Sequence, residues 1–551
     1  MHGNKSNQPS TTHAKFYNKK NEKKKEIISQ PMLLALLYIC MDKQPHHFHS
    51  SQEQMAVSVI LLLLLSFIII LPFLLSSYKS RSKSKPNAPP GPRPLPIIGN
   101  LHQVGPIAHR SFYILSKTYG PLFRLNLGKV PALVISSPSV AQQVLKTHDL
   151  AFCSRPPLIT FQEYSFNGCD VAAAAYGDHW CNLRKIFILE LLSSKKLPSF
   201  VSAREQETQM MVESIKARAD DKSVVNITAH MIRMANNLIC RVAFGYKDEG
   251  EYGEKSRFQE ILHEAHGLMA SLFVADYFPG FGWIDLLTGQ MRRLKRNSRK
   301  LDEFYQEVID QHLKDGEKEE SSEEYIVDVM LRLWKEGEQL SMDHIKGALM
   351  NIFIAGTDTS AATVIWAMSE LMRNPAVMKK AQRTVREVVG NKGKVEEADL
   401  PKLRYIRFVI NETLRLHPPL PLLIPRETTQ HCKINGYDID PKTRVFVSAW
   451  AIGRDEESWE NPEEFNPDRF IGISVDYKGH DFKFLPFGAG RRICPGINFG
   501  VASAELALAN LLNAFNWELP PGTRKEDIDM FEAPGVVAHK NTDLCLVAAN
   551  N

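Results

Sequence analysis

The chain has 551 residues, of which 44% are hydrophobic and 23% are charged. These fractions lie close to the average for soluble globular proteins, and they argue against a fibrous, an intrinsically disordered or a polytopic membrane protein. The net charge of +5 is concentrated near the N-terminus, since residues 1–54 carry eight lysines against four acidic residues and residues 79–93 carry five basic residues and no acidic one. The remainder is slightly acidic, which argues against nucleic-acid binding.

The N-terminal region predicts a membrane anchor. Residues 1–54 are polar and rich in His and Lys, and we interpret them as a disordered extension ahead of a better start at Met55. Residues 56–77 contain no charge and would form a helix about 33 Å long, enough to cross a bilayer. A buried core helix and a cleaved signal peptide are the alternatives, but no A-x-A cleavage site follows. The basic residues after the span predict that the rest of the chain lies in the cytosol.

Behind the anchor, the pattern predicts one large domain. Residues 79–98 are basic and then proline-rich, which favours a stiff, extended strut. Residues 99–549 contain no second linker of this kind, so we expect one mainly helical domain with a smaller β region instead of the three or four domains that the length suggests. Amphipathic segments are predicted at 341–373 and 495–515, and strand-like runs at 121–136 and 444–449. The eight cysteines form no close pairs, which indicates a reducing compartment.

The first chemical signal within this domain is WCNLRK, residues 180–185. Trp180 and Arg184 lie four positions apart and therefore share one face of the predicted helix. An arginine on the solvated face of a surface helix is the structural alternative.

The next signal is AGTDTS, residues 355–360, inside a long helix predicted from a Ser341 cap to the Asn374–Pro375 stop. Gly356 in mid-helix costs about 1 kcal/mol relative to Ala, so its presence indicates a specific need. A hydroxyl such as that of Thr359 often bonds back to a carbonyl of its own helix, and this alternative stays open for the motif taken alone.

The segment ETLR supplies Glu412 and Arg415, which are three apart and share a helix face. Because E-x-x-R also occurs elsewhere in the chain, the signal depends on FNPDRF, which supplies Arg469 about fifty residues later. We predict a salt-bridge triad of these three residues with a structural role. Arg426 follows the same helix in LLIPRETT, and its planar guanidinium suits a carboxylate.

The most informative segment is FGAGRRICPG, residues 487–496. Its three glycines predict a tight loop, and Pro495 suits the first position of the helix that the following apolar pattern indicates. Cys494 would then cap this helix, where the dipole and free N–H groups favour a thiolate over a thiol. A small buried cysteine in a turn is the alternative.

This segment satisfies the pattern F-x-x-G-x-R-x-C-x-G, in which the chain resembles the cytochrome P-450 haem-thiolate enzymes. The resemblance implies the cytochrome P-450 fold behind a single N-terminal transmembrane helix, with haem b as the cofactor. It implies that Cys494 is the axial ligand of the haem iron, that Arg492 binds a haem propionate, and that Phe487 belongs to the cofactor-binding loop. A thiolate ligand favours cleavage of the O–O bond.

The same resemblance implies roles for the earlier motifs. Trp180, Arg184 and Arg426 match positions that contact haem propionates. Asp358 and Thr359 match the acid–alcohol pair that delivers protons for O–O cleavage, in a helix whose small residues would let it open locally beside the cofactor. The salt-bridge triad would stabilise the fold around the haem loop.

The proline strut, AGTDTS and FGAGRRICPG together are similar to the plant microsomal A-type members of this family. The resemblance implies a monooxygenase that inserts one oxygen atom of dioxygen into a small lipophilic specialised metabolite, with electrons from NADPH through a flavoprotein reductase. It implies a single-pass protein of the endoplasmic reticulum membrane that contacts lipid, with its catalytic domain in the cytosol. Residues 291–300, MRRLKRNSRK, are a solvated helix face or a contact for an acidic reductase.

Two alternatives of other classes stay open. One is a haem-thiolate isomerase or dehydratase that needs no reductase, against whose peroxide-rearranging type the intact Asp358–Thr359 pair argues. The other is a membrane-tethered haem-binding protein without turnover. N-glycosylation sequons at Asn226 and Asn411 make a lumenal, glycosylated protein testable.

Overall fold

The computed structural model describes residues 87–221, 223–245, 257–315 and 324–551. The described residues form one compact unit. The predicted extension, the predicted transmembrane helix and the first residues of the strut lie outside the described residues.

Helices dominate the described residues. In chain order they are α1 Ala108–Tyr119, α2 Pro138–Gln142, α3 Asp149–Phe152, α4 Ile159–Tyr164, α5 Asp178–Ile186, α6 Val201–Ala219, α7 Ile227–Phe244, α8 Arg257–Ala270, α9 Trp283–Leu287, α10 Gln290–Asp315, α11 Ile326–Lys335, α12 Met342–Arg373, α13 Pro375–Val389, α14 Arg404–Leu416, α15 Ala449–Ile452 and α16 Ile497–Ala514. Short 3₁₀ turns include Pro467–Phe470 and Gly490–Arg492, and α2 and α5 continue into π-turns. The mainly helical class predicted from the sequence is confirmed.

The strands form three small sheets within the described residues. They are β1 Leu122–Leu127, β2 Val130–Ile135, β3 Val224–Asn226, β4 Arg426–Glu427, β5 Cys432–Ile434, β6 Tyr437–Ile439, β7 Arg444–Val447, β8 Phe515–Glu518 and β9 Cys545–Asn550. The orders are β1-β2-β7-β4, β3-β9-β8 and β5-β6. β1 and β2 pair antiparallel with Leu122 opposite Ile135, and β2 pairs parallel to β7 with Ala132 opposite Arg444. Both predicted strand-like runs are therefore strands over most of their length.

The long helix α12 has the bounds that its sequence signals predict. The Ser341 side chain accepts a hydrogen bond from the His344 N–H at the start, and Asn374 ends the helix. Among the described residues it is the one helix long and apolar enough to cross a membrane, but 56% of its most apolar window is buried inside the protein. Its hydrophobicity therefore serves the core, which α12 forms with α7, α14 and α16.

The predicted salt-bridge triad is present. The Arg415 guanidinium donates to both carboxylate oxygens of Glu412, from Nε at 2.7 Å and Nη2 at 2.8 Å, and Arg469 Nε donates to Glu412 Oε1 at 2.9 Å. The Arg415 and Glu412 side chains are fully buried. Remaining Arg415 donors reach the carbonyls of Gly453 and Pro462, both at 2.6 Å, so the triad ties α14 to the loop that follows α15.

The two sequons differ in accessibility. Asn411 is buried on α14, one residue before Glu412, so a glycan at this position is incompatible with the fold. Asn226 caps α7, because its side chain accepts from the Ala229 N–H and donates to Asp543 at 2.7 Å. The described cysteines are not joined by disulfide bonds.

Candidate active site

The loop Phe487–Gly496 forms a tight turn directly before α16 in the chain and lies against the start of α3 in space. Gly488 and Gly490 take positive φ angles of 71° and 68°, a conformation that glycine adopts without strain. A Cβ on Gly490 would lie 2.3 Å from the Leu145 carbonyl oxygen, so only glycine fits there. The Cys494 N–H donates to the Phe487 carbonyl at 3.0 Å, which closes the loop and fixes the position of the thiol.

The structure corrects two expectations about Cys494. Helix α16 begins at Ile497 with Gly496 as its N-cap, so Cys494 precedes the cap by two residues, because Pro495 and Gly496 complete the turn before the first helical bond from Gly500. Burial raises the pKa of the Cys494 thiol, although the Gly496 N–H and the charge of Arg184 act in the opposite direction. The helix terminus alone therefore does not produce a thiolate.

Arg492 is buried and makes its hydrogen bonds to backbone carbonyls. Its Nε donates to Cys153 at 2.7 Å, its Nη2 to Ala174 at 2.7 Å and its Nη1 to Val171 at 3.3 Å. The guanidinium carbon lies 4.0 Å from the ring centroid of Trp180, whose Nε1 donates to the same Val171 carbonyl at 3.0 Å. Burial lowers the pKa of Arg492 to about 10. Arg492 and Trp180 thus both bind the Val171 carbonyl and hold this part of the backbone in place.

Arg184 lies beside the cysteine loop, on the same helix α5 as Trp180. The side chain is buried and donates from Nη2 to the carbonyl of Ile493, directly before Cys494. Burial lowers its pKa, and the proximity of Cys494 opposes this effect. The predicted shared face of Trp180 and Arg184 is confirmed, and the surface-helix alternative for Arg184 is wrong.

Arg426 is also buried, on the short strand β4. It donates from Nη1 to Asp149 Oδ1 at 3.0 Å and from Nη2 to the Ala489 carbonyl at 2.8 Å. The other oxygen of Asp149 accepts from the Arg491 N–H at 3.1 Å. Burial lowers the pKa of Arg426, and Asp149 opposes this shift. Asp149 therefore serves both Arg426 and the cysteine loop.

Arg155 is a fourth buried arginine that the sequence reasoning missed. It donates to the carbonyls of Ala172, Ile424 and Pro425 at 2.9, 2.7 and 2.9 Å. Burial, and then the neighbouring charge of Arg492, hold the pKa of Arg155 well below its ordinary value. The only sequence signal was an arginine before two prolines, a pattern that indicates an extended segment and no chemistry.

These four residues, Arg155, Arg184, Arg426 and Arg492, are called the arginine cluster below. Among the described residues, one carboxylate lies at ion-pair distance from a member of this cluster: Asp149 pairs with Arg426. The nearby buried Asp170 is bonded to the N–H groups of Ala173 and Ala174 and to Asn351. Buried charges are costly unless they are paired, so the arginine cluster is suited to a ligand with more than one carboxylate.

The centre of α12 carries the other predicted residues. The helix is continuous there, so the predicted local opening at Gly356 is wrong. A Cβ on Gly356 would lie 2.5 Å from Ile239 Cδ1, so this glycine allows close packing against α7. Ala355 is exposed although most residues of α12 on either side of it are buried.

Thr359 makes the back-bond that the sequence left open, because its Oγ1 donates to the Ala355 carbonyl at 2.6 Å. Asp358 contacts two histidines, His266 and His539, at 3.2 and 3.1 Å. Burial opposes ionisation of Asp358, but His539 and His266 outweigh it and lower its pKa below the ordinary value. A carboxylate and a hydroxyl thus lie next to each other at the helix centre.

Phe487 is half-buried and packs edge-on against Tyr477, with the ring centroids 5.7 Å apart. A surface cavity of about 560 Å³ lies elsewhere, among Pro138, Ser458, His480 and Lys483, and none of the predicted site residues line it. The donor chemistry of the cysteine loop and the arginine cluster, not this cavity, marks the site.

The chain is similar to proteins of known family. The family described as Cytochrome P-450 matches residues 89–546. Strychnine-11-hydroxylase of Strychnos nux-vomica is 48% identical over 485 residues, which cover 87% of this chain and 94% of that protein. Cytochrome P-450 71A1 of Persea americana is 49% identical over 456 residues, which cover 82% and 91%. A solved zebrafish cytochrome P-450 with abiraterone has a TM-score of 0.67 at 25% identity, and the match covers 80% of this chain and 99% of that chain.

Proposed function

Since the chain belongs to the cytochrome P-450 family, we propose that it inserts one oxygen atom of dioxygen into a small lipophilic plant metabolite. The family is one of monooxygenases and implies a haem-iron cofactor, a small substrate, dioxygen and a redox partner. The relative strychnine-11-hydroxylase is, by its name, a hydroxylase of strychnine. This supports a substrate from plant specialised metabolism.

The arginine cluster is the observation that carries this proposal. It holds four buried guanidiniums against one carboxylate at ion-pair distance among the described residues. Haem b carries two propionates, and forked guanidinium donors bind carboxylates in pairs. We assign propionate binding to Arg492, Arg184 and Arg426, with Trp180 supporting Arg492 through its ring, and we add Arg155.

Cys494 is the proposed ligand of the iron. The Gly496 N–H and the Arg184 charge both favour its thiolate, and burial opposes them. A coordinated cation removes the proton of a thiol outright. The proposed division of roles is that the loop positions the Cys494 sulfur and that the bound iron would deprotonate it. Phe487 lies at the start of the same loop and is proposed to pack beside the cofactor. When bound, the haem iron would supply dioxygen activation, which a thiolate ligand promotes.

The proposed proton delivery uses Asp358 and Thr359. Thr359 donates a hydrogen bond to the Ala355 carbonyl, so we propose that the lone pairs of its Oγ1 accept a second hydrogen bond beside the exposed Ala355. Asp358 holds its carboxylate one residue away, at histidine contacts that connect it to more exposed parts of the molecule. The proposed path runs from Asp358 Oδ2 towards Thr359 Oγ1.

The proposed electron donor is an NADPH-dependent flavoprotein reductase. The loop residue Arg491 is half exposed and Lys185 next to Arg184 is exposed, which supports docking of an acidic surface beside Cys494. Residues 291–300 lie on α10, which packs against α8 and α9, and Arg293 pairs with Glu264 at 2.7 Å. We therefore interpret that stretch as a solvated helix face.

The proposed location is the endoplasmic reticulum membrane, with the catalytic domain in the cytosol. The described surface supports lipid contact through an apolar patch near the end of the strut. Its exposed side chains are Leu95, Ile97, Ile98, Phe281, Trp283, Leu286 and Leu287. The turn after β1 joins the two parts, because the Gly128 N–H donates to Ile98 and the Lys129 N–H donates to Tyr277. Apolar patches of this kind mark interaction surfaces.

The spectrum of the reduced, CO-bound protein tests the proposal. We expect the red-shifted Soret band of thiolate ligation in the parent protein and its complete loss in Cys494→His, because imidazole replaces the sulfur ligand. Cys545→Ser is the matched control, since Cys545 is also a half-buried free thiol and should keep the band. A parent protein that binds haem without the band would contradict the assignment of Cys494.

A further inference from the structure

The carboxylate of Asp358 lies between imidazoles from two distant parts of the chain. His266 Nδ1, on α8, lies 3.2 Å from Asp358 Oδ2, and His539 Nε2, in the segment before β9, lies 3.1 Å from the same oxygen. The side chains are 15% exposed for Asp358, 14% for His266 and 29% for His539. His263, also on α8, adds its charge from further away. Among the described residues no lysine or arginine makes an ion pair with Asp358.

This arrangement keeps Asp358 ionised. Burial alone would raise the pKa of Asp358, but the hydrogen bond from His539 and the charges of His266, His539 and His263 outweigh it and lower the pKa. A carboxylate that is already ionised at neutral pH holds no proton to give. Any proton that leaves from Asp358 must therefore reach it first, and histidine is the side chain that ordinarily exchanges protons near neutral pH.

The two histidines differ in what lies beyond them. The second ring nitrogen of His266, Nε2, lies 3.4 Å from the Ile354 carbonyl, so both of its nitrogens face acceptors. The imidazolium form, in which both nitrogens are donors, satisfies both acceptors at once. His539 is the more exposed of the pair and can take up a proton from solvent. We call the two histidines the arms of Asp358, of which His266 is the more enclosed and His539 the more exposed.

We propose that His266 and His539 are positioning residues that hold the Asp358 carboxylate and supply it with protons, an inference that rests on the proposed role of Asp358 in proton delivery. In each transfer the imidazolium N–H bond breaks and an O–H bond forms on Asp358 Oδ2, which converts an ion pair into two neutral groups. The neutral imidazole of His539 is then protonated again by a hydronium ion or a buffer acid from solvent, which leaves water or the buffer base behind. No electrons move in this step.

The test uses the haem-loaded enzyme with its reductase and separates holding from proton supply. His539→Gln and His266→Gln keep a hydrogen-bond donor for Asp358 but cannot carry a proton, whereas His539→Leu removes both properties. We measure product formed per NADPH oxidised between about pH 6 and pH 8.5, the range in which histidine titrates. In the parent enzyme this ratio should fall as the pH rises, because the supply of protons from solvent to the two histidines falls.

Each single Gln variant should lower the ratio a few-fold, because one arm remains. The double Gln variant should lower it towards the roughly hundredfold contribution that a positioned proton donor typically makes, and should remove the pH dependence. His431→Gln is the matched control. His431 forms a pair of similar length with Asp438, at 3.2 Å, but on the more exposed β5–β6 hairpin, so the variant should behave as the parent enzyme.

A second readout needs no turnover. A double-mutant cycle of Asp358→Asn with His539→Gln, measured as the thermal midpoint of the ferric enzyme, should be non-additive at pH 6, because the two side chains are in direct contact at 3.1 Å. The inference is overturned if the double Gln variant keeps the parent ratio and pH profile, or if the cycle is additive at pH 6. Failure of the proposed function itself would be distinguishable, because the thiolate CO band would then be absent from both the parent enzyme and the His431→Gln control.

Discussion

Two groups of buried arginines in this molecule satisfy their charges in opposite ways. Arg415 and Arg469 share Glu412, and the charged atoms of the triad find partners in the polypeptide. The arginine cluster is equally buried, yet three of its four members donate only to backbone carbonyls among the described residues. The first group is complete without a ligand, and the second is the group that we propose binds one.

The two groups differ in the number of carboxylates near their guanidiniums, and this number distinguishes the structural ion pair from the proposed ligand site. Motif spacing does not make this distinction, because E-x-x-R and W-x-x-x-R both place two side chains on one helix face. Burial does not make it either, since Arg415 and Arg492 are both buried. The presence of a nearby carboxylate decides, and this leads to different expected results when each group is disrupted.

The largest effect on stability is expected from Glu412→Gln. This change leaves Arg415 and Arg469 buried without a counter-charge, and breaking a buried ion pair in this way typically costs about 3–5 kcal/mol. The free energy of unfolding from denaturant titration of the loaded enzyme measures the loss. Asp468→Asn is the matched control, because Asp468 precedes Arg469 and forms an exposed pair with Lys380, and exposed pairs contribute about 1 kcal/mol or less. Equal losses in the two variants would contradict the structural role of the triad.

A smaller effect, measured as weaker haem binding, is expected from Arg492→Met. Hydrogen bonds to charged groups contribute about 1.5–3 kcal/mol, so haem affinity should fall on the order of tenfold to a hundredfold. The rate of haem transfer to an excess of apomyoglobin measures this change. Arg491→Met is the control, because its side chain is 47% exposed and pairs with Asp149 at 3.5 Å. If Arg491→Met released haem as fast as Arg492→Met, the assignment of the arginine cluster to the propionates would be wrong.

The smallest effect on stability is expected from Thr359→Ala, which belongs to neither group. The hydroxyl bonds to its own helix, so its loss should change the free energy of unfolding by about 1 kcal/mol or less. Product formed per NADPH oxidised should nevertheless fall, on the order of tenfold or more, if Thr359 helps to deliver protons. Thr359→Ser keeps the hydroxyl and should retain the parent ratio. An unchanged ratio in Thr359→Ala would remove this residue from the mechanism.

Local signals predicted the parts of the fold and site that depend on neighbouring residues. The Ser341 cap and the Asn374–Pro375 stop gave the bounds of α12, and the spacing of Glu412 and Arg415 gave their ion pair. The shared face of Trp180 and Arg184 followed from the same periodicity. These features depend on helix geometry, which acts over one or two turns.

The parts that the sequence did not reveal depend on contacts between distant segments. Arg155 is bonded to carbonyls some 270 positions away and has no spacing pattern with them. His539 lies 181 positions from Asp358, so no local motif could join them. The need for Gly356 was recognised, but its reason, the close approach of Ile239, became visible only when α7 and α12 were packed together.

The sheet formed by β3, β9 and β8 has a consequence for the timing of folding in the cell. Its middle strand, β9, is the latest of the three in chain order, and it pairs Val547 with Val224 on one side and with Glu518 on the other. The ribosome synthesises the chain from the N-terminus, so the edge of β3 that pairs with β9 stays unpaired until almost all of the domain has been made. His539 emerges just before β9, so the contacts of Asp358 are completed late. A nascent chain stalled before this strand would expose the unpaired edges of β3 and β8. Intermediates with such edges are prone to aggregation and are bound by chaperones.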